Sequence, residues 1–272
     1  MTTIAFIGAG NMASALMGGM IENGIAPSHI IASDPSADQV NKLAKQWGIQ
    51  ATTDNQEAIS KADVVVVAVK PQVMEAVLSP LKDALQQKRP LLISVAAGIN
   101  LHSLDVWSGG GLAIVRCMPN TPALVQQGAS GLFANGQVSA EQKQQTETIL
   151  DAVGISVWVN SEKELDAVTA VSGSGPAYYF LLMEAMIAAG QTLGLSEETA
   201  RQLTLKTALG AATMAMGSED APAELRRKVT SPNGTTERAI NAFVEGGLPA
   251  LVTTALQAAS DRSEELSREL GC

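Results

Sequence analysis

The sequence predicts an α/β domain over residues 1–161, followed by an all-helical domain over residues 162–272. In the first part, short apolar runs alternate with segments of helical periodicity, the pattern of a parallel sheet flanked by helices. From about Glu162 the strand signal ends, and long segments rich in Ala, Leu and Met follow. The length of 272 residues also favours two domains, because single hydrophobic cores stop growing near ~250 residues.

The strands of the first part are predicted from short apolar runs bounded by turn residues. The first run, residues 3–7, ends at Gly8, and helical periodicity follows over residues 11–21. Residues 63–69 read DVVVVAV, which is typical of a parallel strand covered on both faces. The remaining predicted elements are strands at 30–32, 91–95 and 114–118 and helices at 37–47, from Pro71 and from about His102.

The second part is predicted to contain five helices, at 178–193, 197–216, 221–229, 235–244 and 248–270. Residues 176–195 approach membrane-spanning length, but Glu184 interrupts them and small residues dominate. A helix that is apolar all round lies in a core or a subunit interface, so we expect burial and no membrane partner. Since a lone helical domain of this composition would expose large apolar patches, we also expect a dimer at least.

Composition excludes several classes of function. The formal net charge of −9 argues against nucleic acid as a partner, because affinity for nucleic acid comes from Lys and Arg on phosphates. Two cysteines (Cys117, Cys272) and two histidines (His29, His102) provide neither a disulfide framework nor the ligands of a zinc site, so no metal is predicted. The chain starts directly with a strand and lacks a basic leader, so we expect a cytoplasmic protein.

A glycine-rich turn joins the first predicted strand to the first helix. Gly8 permits a tight turn, Gly10 lets the backbone approach a pyrophosphate, and Ala13 leaves room for close helix–strand packing. A compact connection without a ligand is the alternative, but the strand–turn–helix context favours a Rossmann-like dinucleotide-binding domain. The predicted cofactor contacts in this turn are Gly8, Ala9, Gly10, Asn11 and Met12.

The end of the second strand bears on which dinucleotide is bound. Asp34 lies where an acidic residue bonds the adenosine ribose hydroxyl, which favours NAD. Ser33, Ser36 and Asn55 are equally suited to donate hydrogen bonds to the 2′-phosphate of NADP, although no arginine stands beside Asp34. Both NADPH and NADH stay open, and Asn55 has the alternative role of capping a short helix.

Three further segments follow predicted strands, at the edge of the sheet where open α/β sheets place their ligands. They lie at residues 69–71, 96–98 and 118–122. We therefore expect the loops that contain them to surround the cofactor. Lys70 has the alternative of a solvated charge at a helix start, and Asn120 that of holding its own turn. The candidate cofactor contacts in these loops are Val69, Lys70, Pro71, Ala97 and Asn120.

The two histidines limit the chemistry. Neither His29 nor His102 follows a predicted strand, so no histidine is placed to take a hydroxyl proton, as alcohol dehydrogenases commonly require. Reduction of a C=N bond fits better, because a protonated iminium already attracts hydride. Positioning would then supply most of the catalysis.

A second candidate site lies in the helical part, in a turn that opens a helix. The amides of residues 233–236 are able to bind a carboxylate there, and two threonine hydroxyls add donors; a capped helix start without a ligand is the alternative. The segment SGSGP at residues 172–176 is either an ordinary loop or a small-residue wall, including Gly175, beside the nicotinamide. The candidate substrate loop comprises Ser231, Pro232, Asn233, Gly234, Thr235 and Thr236.

Five blocks of the sequence resemble those of the pyrroline-5-carboxylate reductase family, in the family's order. The resemblance spans nearly the whole chain, and the last two blocks together are specific. It implies reduction of 1-pyrroline-5-carboxylate to proline with NADPH or NADH, the last step of proline biosynthesis. It also implies a homodimer interlocked through a helical dimerisation domain, often assembled into a pentamer of dimers. The blocks are FIGAGNM at 6–12, AVKP at 68–71, MPNTPA at 118–123, VSGSGPAY at 171–178 and VTSPNGTT at 229–236.

The resemblance implies roles for individual residues. Thr236 is expected to hydrogen-bond the ring nitrogen of the substrate, and Glu219 matches a position near the substrate. Asn233 stands where the family usually has Gly, but Asn tolerates left-handed backbone better than most residues. Asp34 is a second departure and argues against a strict preference for NADPH. The family's cofactor contacts map onto residues 8–12, Ser33, Asn55, residues 69–71 and Ala97.

Two alternatives remain at this point. β-Hydroxyacid dehydrogenases resemble the chain around residues 173–175 but place a catalytic Lys four residues after the second glycine, where this sequence has Tyr179. A nonenzymatic protein that senses the dinucleotide would bind it without turnover, and the loop at residues 231–236 argues against that function.

Overall fold

The computed structural model describes residues 2–272 and divides the chain into two compact units. The first unit contains the chain up to Ser174 together with Ala258–Cys272, and the second contains Gly175–Gln257. The first is an α/β unit and the second consists of helices and their connections, which confirms the predicted fold class.

Within the described residues, the first unit is built on an eight-stranded sheet with the order β3-β2-β1-β4-β5-β6-β7-β8. Neighbouring strands are parallel except for β6 and β7. The chain moves from β1 outward to β3 and then returns to the other side of β1, so the strand order reverses between β1 and β4. Open α/β sheets bind ligands outside the carboxyl ends of the strands at such a point. The strands are β1 (Ile4–Ile7), β2 (Ile30–Ser33), β3 (Gln50–Thr52), β4 (Val64–Val67), β5 (Leu91–Ser94), β6 (Ile114–Met118), β7 (Gly128–Ala134) and β8 (Gly154–Trp158).

Three of these strands were not predicted, and each lacks the apolar signal that marks the others. β3 has the sequence QAT and is largely exposed, while β8 alternates half-buried and exposed residues. β7 contains two glycines, which weaken a strand's intrinsic preference. A Cβ on Gly131 would lie 2.6 Å from the Val168 side chain, so the glycine allows close packing that local sequence does not reveal.

The sheet is covered on both faces, as the DVVVVAV segment indicated. Ile4, Phe6, Val64 and Val66 belong to one core cluster, and the intervening residues of β1 and β4 belong to the other. This alternation follows from the two-residue period of a strand. The helices of the first unit are α1 (Asn11–Glu22), α2 (Ala37–Trp47), α3 (Asn55–Lys61), α4 (Met74–Leu78), α5 (Lys82–Lys88), α6 (Leu101–Ser108), α7 (Ala140–Leu150) and α8 (Glu164–Val168).

The first unit continues past residue 161, where the sequence placed the domain boundary. Helix α8 and the π-helical turn Thr169–Gly173 belong to it. The end of the last helix belongs to it as well, because Ser263 Oγ donates a hydrogen bond to Asp166 Oδ1 at 2.7 Å. Gly98 also lies against this helix, since a Cβ there would be 3.2 Å from that of Leu266.

The second unit carries four helices and the first part of a fifth, all close to the predicted positions. Many large apolar side chains on them are exposed in the single chain, including Tyr179, Phe180 and Leu181 of the first helix, each at least 64% exposed. No single helix among the described residues is both long and apolar enough to span a membrane, although the bent pair of helices Thr235–Glu245 and Leu248–Leu270 reaches that length and composition together. The helices are α9 (Gly175–Thr192), α10 (Glu197–Met216), α11 (Pro222–Lys228), α12 (Thr235–Glu245) and α13 (Leu248–Leu270).

Candidate active site

The glycine turn after β1 lies at the point where the strand order reverses. Gly8 has a φ of 96°, and a Cβ on it would lie 2.7 Å from the Ala68 carbonyl oxygen, so a side chain is excluded on two grounds. Gly10 is the N-cap of α1, and nothing lies within 4 Å of the position of its absent Cβ. Ala13 is fully buried. The turn therefore combines a tightly packed glycine with an open one at the helix start, as a dinucleotide site requires.

Asp34 is held against this turn. Its Oδ2 accepts a hydrogen bond from the Ala9 amide at 3.0 Å, and its Oδ1 accepts one from the Ser36 amide at 2.9 Å. The Gln39 side-chain amide donates to the Ala9 carbonyl oxygen at 2.7 Å. The amide and the carbonyl oxygen of Ala9 are thus both hydrogen-bonded to side chains, and the carboxylate lies between the glycine turn and the end of β2.

Ser33 and Asn55 form a second polar pair at the end of β2. The buried Ser33 hydroxyl donates to Asn55 Oδ1 at 2.6 Å. The alternative that Asn55 caps a short helix is wrong: Asp54 is the N-cap of α3, where its side chain accepts from the amides of Gln56 and Glu57. Asn55 is the first helical residue, which leaves its side chain to face Ser33.

The two loops after β4 and β5 follow strands that neighbour β1. Val69 packs beside Gly8, and Lys70 is exposed with extended backbone. Pro71 begins a short 3-10 turn instead of the predicted helix, and α4 starts only at Met74. Ala97 is half-buried in the turn after β5. Both segments follow strands at the carboxyl edge of the sheet, where the sequence placed them.

Asn120 holds the segment after β6 in place. Its Oδ1 accepts from the Ala129 amide at 2.9 Å, and its Nδ2 donates to the Ser172 carbonyl oxygen at 3.1 Å. The side chain therefore links three segments of backbone: the loop after β6, strand β7 and the π-helical turn. This arrangement supports the structural alternative for Asn120, because both ends of its amide are engaged by backbone groups.

An ion pair between buried Arg116 and half-buried Glu162 was not predicted. Glu162 Oε1 lies 2.6 Å from Arg116 Nη1 and also accepts from the Leu101 amide at 2.6 Å. Arg116 is 8% exposed within β6, whose sequence is otherwise apolar or weakly polar. A buried charge requires a partner, so the arginine in this strand was the available signal, but the distant carboxylate was not identifiable from sequence.

In the first half of the loop before α12, the backbone amides of Asn233 and Gly234 are already hydrogen-bonded within the loop and to the helix that follows. Asn233 adopts left-handed backbone with a φ of 60°, as an asparagine tolerates. Its amide donates to Glu237 Oε2 at 2.8 Å, and the Gly234 amide donates to the Ser231 carbonyl oxygen at 3.0 Å. The expectation that residues 233–236 all offer free amides is therefore too broad.

The second half of the loop keeps its donors. Among the described residues, no acceptor is hydrogen-bonded to the amides of Thr235 and Thr236, which open α12. The first turn of a helix leaves such amides without partners and favours an anion. Gly175 is buried at the start of α9, and Glu219 is exposed in the connection between α10 and α11.

Parts of both units match known family models, and nearly the whole chain is similar to curated proteins. Residues 162–266 match a model described as pyrroline-5-carboxylate reductase dimerisation, and residues 3–98 match one described as NADP oxidoreductase coenzyme F420-dependent. A pyrroline-5-carboxylate reductase from Pseudomonas aeruginosa is 59% identical over 268 residues, covering 98% of each chain. A relative of the same name from Vibrio alginolyticus is 43% identical and covers 97% of each chain.

Solved structures give the same result. A pyrroline-5-carboxylate reductase from Coxiella burnetii superposes with a TM-score of 0.95 at 46% identity and covers 98% of both chains. The Plasmodium falciparum pyrroline carboxylate reductase, solved with NADP bound, has a TM-score of 0.84 at 31% identity and covers 98% of both chains. An NADP-dependent oxidoreductase fold and a helical dimerisation domain are therefore joined here in one chain, which belongs to the pyrroline-5-carboxylate reductase family.

Proposed function

We propose that this protein reduces 1-pyrroline-5-carboxylate to L-proline, with NAD(P)H as the hydride donor. The observation that carries the proposal is the presence, on one chain of this family, of the open glycine turn after β1 and of the loop before α12 with unpaired amides. The first fits a dinucleotide and the second fits a small carboxylate. The absence of a histidine from both sites is consistent with an imine substrate, which needs little proton transfer.

The residues of the first unit fit a dinucleotide. The open space beside Gly10 and the amides of Asn11 and Met12 at the start of α1 would hold the pyrophosphate, since helix N-termini bind phosphate. Asp34 and the Ser33–Asn55 pair would face the adenosine ribose. The remainder of the cofactor would lie against the loops that contain Val69, Lys70, Pro71 and Ala97. When bound, the dihydronicotinamide supplies the hydride. Asn120 would position the loop after β6 rather than touch the cofactor.

The loop before α12 would hold the substrate. The amides of Thr235 and Thr236 would bind the carboxylate, helped by the dipole of α12, while the Thr236 hydroxyl orients the ring nitrogen. Ser231, Pro232, Asn233 and Gly234 would shape the loop. Glu219 and Gly175 are proposed to contribute to substrate binding as well. Fixing the carboxylate and the nitrogen together defines which face of the imine carbon receives hydride. Most of the rate acceleration would then come from orienting the substrate.

Substitution of Thr236 tests this mechanism. Thr236→Ala should lower kcat/KM for pyrroline-5-carboxylate by about 10- to 100-fold, the effect of a lost hydrogen bond of ~1.5–3 kcal/mol to a charged group. Thr236→Ser keeps the hydroxyl and should retain most activity. The Kd for NADPH, measured by fluorescence titration, should be unchanged in both variants. Full activity of Thr236→Ala would remove this hydroxyl from the mechanism.

We also propose the assembly and the compartment. The apolar side chains exposed on α9, α10, α12 and the first part of α13 fit a homodimer interlocked through the helices of the second unit, and a pentamer of such dimers is the proposed final state. A cytoplasmic location suits two free cysteines, one of them buried. Sedimentation equilibrium should return the mass of two or ten copies, and a monomer at micromolar concentration would contradict the proposed interface.

A further inference from the structure

The position of the Asp34 carboxylate is set by backbone rather than by a flexible partner. Both carboxylate oxygens accept hydrogen bonds from main-chain amides, Oδ2 from Ala9 and Oδ1 from Ser36. The Ala9 carbonyl oxygen in turn accepts a hydrogen bond from the Gln39 side-chain amide. A carboxylate fixed by two amides cannot rotate away from a ligand without leaving both hydrogen bonds unmade, and this holds the side chain in one position at the site.

The surroundings of Asp34 do not neutralise it. Among the described residues no Lys or Arg forms an ion pair with Asp34, and neither residues 8–12 nor residues 33–39 contain a cation. The nearby Ser33 hydroxyl already donates to Asn55. A phosphate group placed here would therefore meet a fixed negative charge with no cation between them, whereas a ribose hydroxyl would donate a hydrogen bond to the carboxylate.

We infer that Asp34 determines the cofactor preference of this enzyme: it accepts a hydrogen bond from the 2′-hydroxyl of NADH and opposes the 2′-phosphate of NADPH. The inference rests on the proposed function and deepens it. Wild-type enzyme uses NADH at least as efficiently as NADPH, although the structure of the Plasmodium falciparum relative contains NADP. The Asp34 charge, rather than the shape of the turn, carries this preference.

The variant Asp34→Asn tests the inference, because it removes the charge and keeps one oxygen to accept from the Ala9 amide. The ratio of kcat/KM for NADPH to that for NADH should rise at least about tenfold, since the phosphate no longer faces a like charge. Asp38→Asn is the matched control: Asp38 lies in the first turn of α2, is exposed, and gives the same change in net charge. Its ratio should stay within twofold of wild type.

Binding of cofactor fragments separates this inference from the proposed reaction. Calorimetry with ADP-ribose and with 2′-phospho-ADP-ribose requires no turnover and no substrate. Wild type should bind ADP-ribose at least as tightly, and Asp34→Asn should shift the ratio of the two Kd values at least tenfold toward the phosphorylated fragment. A tenfold wild-type preference for the phosphorylated fragment overturns the inference even if the variant does not fold. An unchanged ratio in a folded variant also overturns it and leaves the proposed reaction intact. If neither fragment binds, both fail.

Discussion

Substitution of Gly8 by alanine should lower the stability of the protein, whereas substitution of Gly10 should mainly weaken cofactor binding. At Gly8 the new methyl would lie 2.7 Å from a backbone oxygen of Ala68 and 3.0 Å from a Val69 side chain, on a backbone with a φ of 96°. Left-handed backbone costs an L-residue about 1–2 kcal/mol, and overpacking adds about 1–3 kcal/mol. Gly8→Ala should therefore lower the free energy of unfolding by about 2–5 kcal/mol.

The same methyl at Gly10 meets no atom within 4 Å, and the backbone there has a φ of −73° and a ψ of −172°, which alanine adopts without strain. As an N-cap, alanine is poorer than glycine by less than about 1 kcal/mol. Gly10→Ala should keep most of the stability yet raise the Kd for NADPH at least about tenfold, because its methyl occupies the space left for the pyrophosphate.

Urea unfolding at one fixed protein concentration measures the first effect, since the stability of an oligomer depends on concentration. Fluorescence titration with NADPH measures the second. Two results would refute the reasoning: a Gly8→Ala protein as stable as wild type, or a Gly10→Ala protein with an unchanged Kd.

Three further predictions concern buried groups. Burial raises the pKa of the Cys117 thiol to about 12, so at pH 8 a thiol reagent should modify only Cys272 in native protein; two fast-reacting thiols per chain would contradict this. Asn120→Asp loses the donor to a backbone carbonyl and should cost about 1–3 kcal/mol in urea unfolding, whereas an unchanged midpoint would show that the link contributes nothing. Glu162→Gln weakens the only ion pair found for Arg116 among the described residues; a loss of about 1.5–3 kcal/mol by calorimetry is expected, and no shift in Tm would argue against it.

The contrast between β4 and β7 shows how far local sequence predicts this fold. β4 is apolar throughout because it is covered on both faces, so its pattern alone identifies it. β7 contains two glycines, which local sequence does not favour in a strand. It forms a strand because it pairs with β6 and β8 and packs against Val168. Signals that depend on distant partners are invisible in a local window.

In the candidate site too, local sequence predicts some features, whereas others depend on distant partners. The sequence predicted the glycine turn, Asp34 and the loop before α12 as candidate binding residues, since each prediction depends on residues adjacent in the chain and on a helix start. The partners of these residues were not predicted: Asp54 rather than Asn55 caps α3, Glu237 binds the Asn233 amide, and Asn120 reaches the π-helical turn. Each of these contacts requires knowledge of side-chain direction.

By itself, the sequence determined five of the eight strands found in the described residues, the α/β and helical halves and the positions of the two candidate ligand-binding turns, because hydrophobic period and turn chemistry act over a few residues. Only the tertiary structure decided which amides remain available to a ligand, where the first unit ends and how the Asp34 charge is held. Those features depend on groups far apart in the chain, such as Ser263 with Asp166, that meet only when the core has formed.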